Sequence, residues 1–147
     1  MTKDVLLRIR GLQIIGEGEE EPIEVIAPGT YFEKNGKHYI KYDEVLEGFE
    51  GTVQNLIKVD KSSMEVTKRG VANVHMVFEE NKKNHSYYNT PFGNLLVGIS
   101  ATDIVLDARE DSMDIRVDYA LEVNYEHLAD CSISMNVQAK KGAHLLS

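Results

Sequence analysis

Five histidines, seven tyrosines and a single cysteine are the side chains of this 147-residue chain best suited to chemistry. The histidines are His38, His75, His85, His127 and His144. Imidazoles hold metals or move protons when spacing gathers them, as in His-x-His or His-Glu-x-x-His. Neither pattern occurs, and no carboxylate stands at ligand spacing beside a histidine, so no metal site is expected. His75 takes the outward phase of its strand and His127 a loop, which reads as solvated surface. His38 differs, because it shares a face with Ile40 and Tyr42 and so points inward or to a rim. There it either finds a hydrogen-bond partner, as buried histidines do, or touches a ligand. Cys131 falls in an apolar phase, where a thiol behaves as a small hydrophobe and not as a nucleophile.

The tyrosines are Tyr31, Tyr39, Tyr42, Tyr87, Tyr88, Tyr119 and Tyr125, and there is no tryptophan. Tyr119 lies on the clearest inward face of the chain. A buried phenol must bond to something: a backbone carbonyl or water in a packed interior, a polar ligand end in a hollow one. Tyr87 and Tyr88 face opposite sides, so at most one lines the interior. His38, Tyr42, Tyr88 and Tyr119 are therefore the candidate ligand contacts. The chain has no Gly-x-Ser-x-Gly elbow and no Gly-x-x-x-x-Gly-Lys-Ser loop. Gly16-x-Gly18 is followed by glutamates that repel phosphate. Asp114, Asp118 and Glu122 share an outward face with Arg116, which is a solvated surface and not an acid–base pair. No catalytic residue and no cofactor is predicted, and enzyme chemistry has little support.

The elements that must position these residues are strands. Met113, Ile115, Val117, Tyr119, Leu121 and Val123 alternate with polar or small residues, and Cys131, Ile133, Met135, Val137 and Ala139 repeat the pattern. Period-two alternation buries one face of a strand and wets the other. Strand one is predicted over 4–15, with a bulge or bend at Gly11 where the apolar phase shifts, and a turn over 16–21. A short strand over 22–26 is expected to break at Pro28-Gly29. Residues 30–34 and 37–45 flank Asn35-Gly36, the strongest hairpin signal in the chain. Further strands are expected over 52–60, 64–69, 71–80 and 85–89. The segment from Thr90 through Pro91 to Gly93 interrupts the pattern. Leu95, Val97 and Ile99 share one phase and Ile104 and Leu106 the other, so a second slip must lie within 98–102. Helical turns are conceivable only at 43–49 and 125–129.

Length and charge narrow the classes. The chain suits one domain, expected over 1–140 with a flexible tail at 141–147. A net charge of −8 disfavours nucleic acid and anionic membranes as partners. One cysteine excludes an internal disulfide, and no signal peptide or membrane-length apolar run is visible. A cytoplasmic location is the expectation.

Such strands could build a two-sheet sandwich or a closed barrel. Short connections, two phase slips and the lack of a long crossover favour an all-β, mostly up-and-down antiparallel barrel of about eight to ten strands. Three segments carry a resemblance. They are Gly48-Phe49-Glu50-Gly51-Thr52; Lys68-Arg69-Gly70 ahead of Met76-Val77-Phe78-Glu79; and Tyr87-Tyr88-Asn89-Thr90-Pro91-Phe92-Gly93. In this order they resemble the YwiB-like family, small bacterial proteins classed as a domain of unknown function, over roughly 4–140. The resemblance implies a calycin-like barrel related in shape to lipocalins, and it transfers no reaction and no catalytic residue. Two functions are then expected: a barrel holding a small apolar ligand, or a solid barrel serving as a structural or interaction module, as monomer or homodimer. The second draws on the break at Pro91, which could leave a seam.

Overall fold

The computed structural model describes residues 3–11, 24–45, 51–70, 73–90 and 93–140, the side chains of 88–90 excepted. All its regular elements are strands: β1 Lys3–Arg10, β2 Glu24–Lys34, β3 Lys37–Val45, β4 Thr52–Val59, β5 Ser63–Gly70, β6 Val74–Glu79, β7 Lys83–Thr90, β8 Gly93–Ala108, β9 Ser112–Val123 and β10 Glu126–Ala139. They form one ten-stranded sheet in the order β6-β5-β4-β3-β2-β1-β10-β9-β8-β7. Every sequential pair except β6 and β7 is laddered antiparallel, and β1 also pairs with β10. The sheet rolls into a nearly closed up-and-down barrel, and the ladder is interrupted in mid-chain, between β6 and β7.

The alternation read from sequence sets the inside. Met113, Ile115, Val117, Tyr119 and Leu121 of β9 are all buried, as are Ile133, Met135 and Val137 of β10. With Val5, Leu7 and Ile9 of β1 and Met76 and Phe78 of β6 they form one continuous core. Each fully buried Leu, Ile or Phe contributes about 1.5–3 kcal/mol relative to an exposed one. The outer wall carries the charge: Asp4, Arg8, Arg10, Asp43 and Arg116 all stay in water. That is the inverse of a membrane-spanning barrel, whose outer band is apolar. No helix among the described residues is long and apolar enough to cross a membrane.

Asn35 and Gly36 take φ of 53° and 77°, the positive angles of a type I′ turn, as expected. The predicted slip in β8 is a bulge between Ala101 and Asp103, after which the buried phase passes from Val97, Ile99 and Ala101 to Ile104. Other boundaries move. Residues 22–26 are not a strand broken at Pro28-Gly29, because β2 runs from Glu24 to Lys34 straight through both. Pro28 has no N–H to give a ladder, but the β2–β3 register begins only at Thr30↔Lys41, so nothing is lost on that side. His127, expected in a loop, lies in strand β10 from Glu126, with a register shift between His127 and Ala129. Neither suggested helical turn forms among the described residues, since Asp43–Val45 completes β3 and 126–129 opens β10. Strand seven starts at Lys83, ahead of His85, and strand six at Val74. Gly11 follows β1 as a bend with φ of 88°, at the expected position, while the rest of the strand predicted over 4–15, the turn at 16–21 and the tail at 141–147 lie outside the described residues.

The seam is not where Pro91 suggested. Pro91 belongs to the β7–β8 connection and is outside the described residues, whereas the missing ladder separates β6 from β7. At its lower end a single bridge, Glu80↔Ala101, ties the end of β6 to the β8 bulge. The Glu80 carboxylate accepts the Ile104 N–H at 3.0 Å. Among its described side chains, β7 contributes nothing to the buried core.

Candidate functional site

The four candidate contacts do not converge on one site. His38 and Tyr42 share the inner face of β3, four residues and about 13 Å apart along the strand. Tyr119 is on β9, and for Tyr88 only the backbone register is described, opposite Leu95 on β8.

His38 is 7% exposed, and its Nδ1 lies 2.7 Å from the hydroxyl of Tyr31, itself 1% exposed. Burial lowers the His38 pKa, against the opposing pull of Glu33 and Asp60. Burial, with Glu33 second, pushes the Tyr31 phenol up to about 12. Both groups are therefore neutral and share one hydrogen bond, which Tyr31 donates when the imidazole carries its hydrogen on Nε2. His38 is a histidine with an internal partner. Tyr31 was not among the candidates, although its phase with Ala27 marked it as inward.

Tyr119 packs its ring edge-on against Phe78 of β6, with centroids 5.0 Å apart. The contact joins β6 to β9 on the inner face, beside the Glu80↔Ala101 bridge. Burial raises the Tyr119 pKa, helped by Cys131 opposite it on β10. Cys131 is half-buried, and burial pushes its thiol up as well, as a packing residue requires. Among the described residues no His, Cys, Asp and Glu cluster could hold a metal. The outward carboxylates of β9 are tied down: Asp114 by Arg109 and Asn136, Asp118 by Ser132, Glu122 by Lys83.

The position around Tyr42 is different. The β2–β3 ladder ends at Thr30↔Lys41, so the two strands part above it. Above that point the first half of β2 pairs with β1 alone, and Tyr42 to Val45 pair with β4 alone. Gly29 allows the crossing, because a Cβ there would meet the Lys41 carbonyl oxygen at 2.6 Å. The split leaves a groove of about 870 Å³ in the wall, lined from β1, β2 and Lys140 on one side and from β3, β4 and β5 on the other. Tyr42 and Asn55 of the inner face line it together with Lys41, Gln54, Thr67 and Arg69.

Below the groove, Tyr42, Asn55 and Lys68 are successive cross-strand partners on the inner face. The Lys68 ammonium donates to Asn55 Oδ1 at 2.7 Å and pairs with Glu44 at 3.3 Å. Asn55 Nδ2 donates to Glu44 at 3.4 Å and to the Val53 carbonyl at 3.3 Å. Asn55, only 3% exposed, is thus fully engaged. Tyr42 is not. It is 6% exposed, and its hydroxyl has no hydrogen-bond partner among the described residues. Among the described residues no fully sealed side-chain N or O lacks a partner, so this hydroxyl is not cut off from water. Burial, then the Glu44 charge, raises its pKa, so it remains a neutral donor.

Glu44, Asn55 and Lys68 were missed as site residues. Their signal was present: Asn55 and Lys68 stand in the apolar phases of Val53-x-x-x-Ile57 and Met64-x-Val66. What could not be read was that they meet.

The fold and site together define a class: an up-and-down, ten-stranded barrel with a buried apolar core, an unladdered seam between β6 and β7 and a parting between β2 and β3. The family model described as "Domain of unknown function (DUF1934)" matches residues 7–135, and the chain belongs to that family. The "Uncharacterized beta-barrel protein YwiB" of Bacillus subtilis (strain 168) is 28% identical over 120 residues, which is 80% of this chain and 83% of that relative. The crystal structure of the ywiB protein from Bacillus subtilis superposes with a TM-score of 0.78 at 22% identity, covering 95% of this chain and 94% of that one. That likeness establishes the fold.

Proposed function

We propose that this barrel is a non-enzymatic module that binds a small molecule in the groove where β2 and β3 part. The observation that carries this reading is Tyr42, a lining residue of the groove that is nine-tenths buried and whose hydroxyl has no partner among the described residues. A hydroxyl whose bond is to water can exchange it for a bond to a ligand without breaking a protein contact. Ligand sites combine apolar walls with a few placed polar groups, and Pro28, Gly29 and Leu56 beside Tyr42 and Asn55 fit this pattern. The groove in the wall, and not the interior, is the place we assign to the ligand. The ligand packs part of its body against Pro28 and Leu56 and places a polar group at Tyr42. We place the module in the cytoplasm, which suits a chain with one cysteine, and relate its roll to calycin-like barrels. The test is a ¹H–¹⁵N NMR screen of the full chain against neutral, anionic and cationic fragments. Shifts gathered on Lys41–Asp43 and Asn55 support the reading. Shifts confined to the His38 end, or none at all, refute it.

A second reading rests on the unladdered edges of β6 and β7, which present unpaired backbone groups to another strand. In it the barrel is an interaction module that associates with a second copy. Light scattering that gives a strict monomer at high concentration would remove it.

A further inference from the structure

The charges around the groove narrow its ligand, on the reading that the groove binds one. The chain carries 16 Lys and Arg against 24 Asp and Glu, so its general field repels anions. In the groove the balance is reversed: Lys41, Arg69 and Lys140 face Asp4 and Asp43. None of these five forms an ion pair among the described residues, and the Lys41 ammonium rests 5.7 Å from the Phe32 ring centre. Lys68, directly beneath, has its charge already engaged by Glu44. A nine-tenths-buried tyrosine, its hydroxyl unpartnered among the described residues, thus lines a groove whose cations form no ion pair among them.

We infer that the groove takes a small anion, a phosphate or carboxylate, on a body bearing hydroxyl groups. The acid group sits among Lys41, Arg69 and Lys140, where charge-assisted bonds are strongest. The Tyr42 hydroxyl donates to an oxygen of the ligand, and Asp4 and Asp43 accept from its hydroxyls. A purely apolar molecule would leave all six groups unanswered. A simple cation would satisfy the two carboxylates only.

Ribose 5-phosphate is a probe of this chemistry, with ribose, inorganic phosphate and ethanolamine as its parts and its opposite. Each is titrated into the ¹⁵N-labelled full chain. Ribose 5-phosphate is expected to shift the amides of Lys41, Tyr42 and Asn55 and to bind more tightly than ribose or phosphate alone. Arg69→Gln and Tyr42→Phe should each weaken it about tenfold, the effect of one charge-assisted hydrogen bond. Lys61→Gln, an exposed change away from the groove with the same loss of charge, should leave it unaltered. If ribose or ethanolamine shifts the groove amides as strongly as the phosphate, the anion assignment falls while the groove survives as a binding site. If none of the four shifts them, and the fragment screen is also silent there, both fall.

Discussion

Two substitutions that each delete one oxygen separate a structural tyrosine from a recognition tyrosine. Tyr31→Phe removes the hydroxyl that meets His38 Nδ1 at 2.7 Å. Both residues are more than nine-tenths buried, so water does not readily replace the lost donor. A buried acceptor left without a partner costs about 1–3 kcal/mol. For a domain of this size each kcal/mol lowers Tm by roughly 2–4 °C, so a mid-range loss of about 2 kcal/mol corresponds to roughly 4–8 °C. Tyr42→Phe removes a hydroxyl with no protein partner, and the stability change should stay within about 0.5 kcal/mol or be slightly favourable. Urea unfolding followed by far-UV circular dichroism, with calorimetry for Tm, measures both. The slope of free energy against urea should be unchanged, since neither variant alters the surface exposed on unfolding. Equal losses in the two variants would refute the reasoning, because Tyr42 would then have an internal partner and no vacancy for a ligand. A neutral Tyr31→Phe would show that His38 is satisfied by other means.

The buried His38 makes stability depend on pH. Its folded pKa lies below the unfolded value, so the unfolded chain takes up the proton first. Stability from this group is therefore complete above about pH 6.5 and is lost as pH falls toward the folded pKa. Urea midpoints at pH 7.5, 6.5 and 5.5 should decline, and His38→Gln should decline less over the same interval. Glu80→Ala removes the acceptor that ties Ile104 to the seam. Hydrogen exchange at the Ile104 amide should accelerate about tenfold to a hundredfold, with the β1–β10 amides unchanged. Gly29→Ala places a methyl group 2.6 Å from the Lys41 carbonyl, and should cost about 1–3 kcal/mol and shift the amides on both sides of the groove.

Strand type, inward face and the tight turn at Asn35-Gly36 were legible from residue order alone. Each depends on local geometry: the two-residue pleat, and the positive φ that Asn and Gly tolerate. The slip in β8 was legible for the same reason, since an extra residue inverts the phase of everything after it. The inwardness of His38, Tyr42 and Tyr119 followed from the pleat as well. Their separate fates did not. Whether an inward phenol meets a histidine, a phenyl edge or nothing depends on which residue the neighbouring strand places opposite and which the far wall brings across, and both are set by pairing between residues remote in sequence. The seam between β6 and β7, the parting of β2 from β3 and the row Tyr42–Asn55–Lys68 arise from register and closure. A proline could be read as a place where a ladder is weak. Only the closed sheet decided that Pro28 would stay inside a strand and that the wall would part beside it, because a ladder bond belongs to two strands at once.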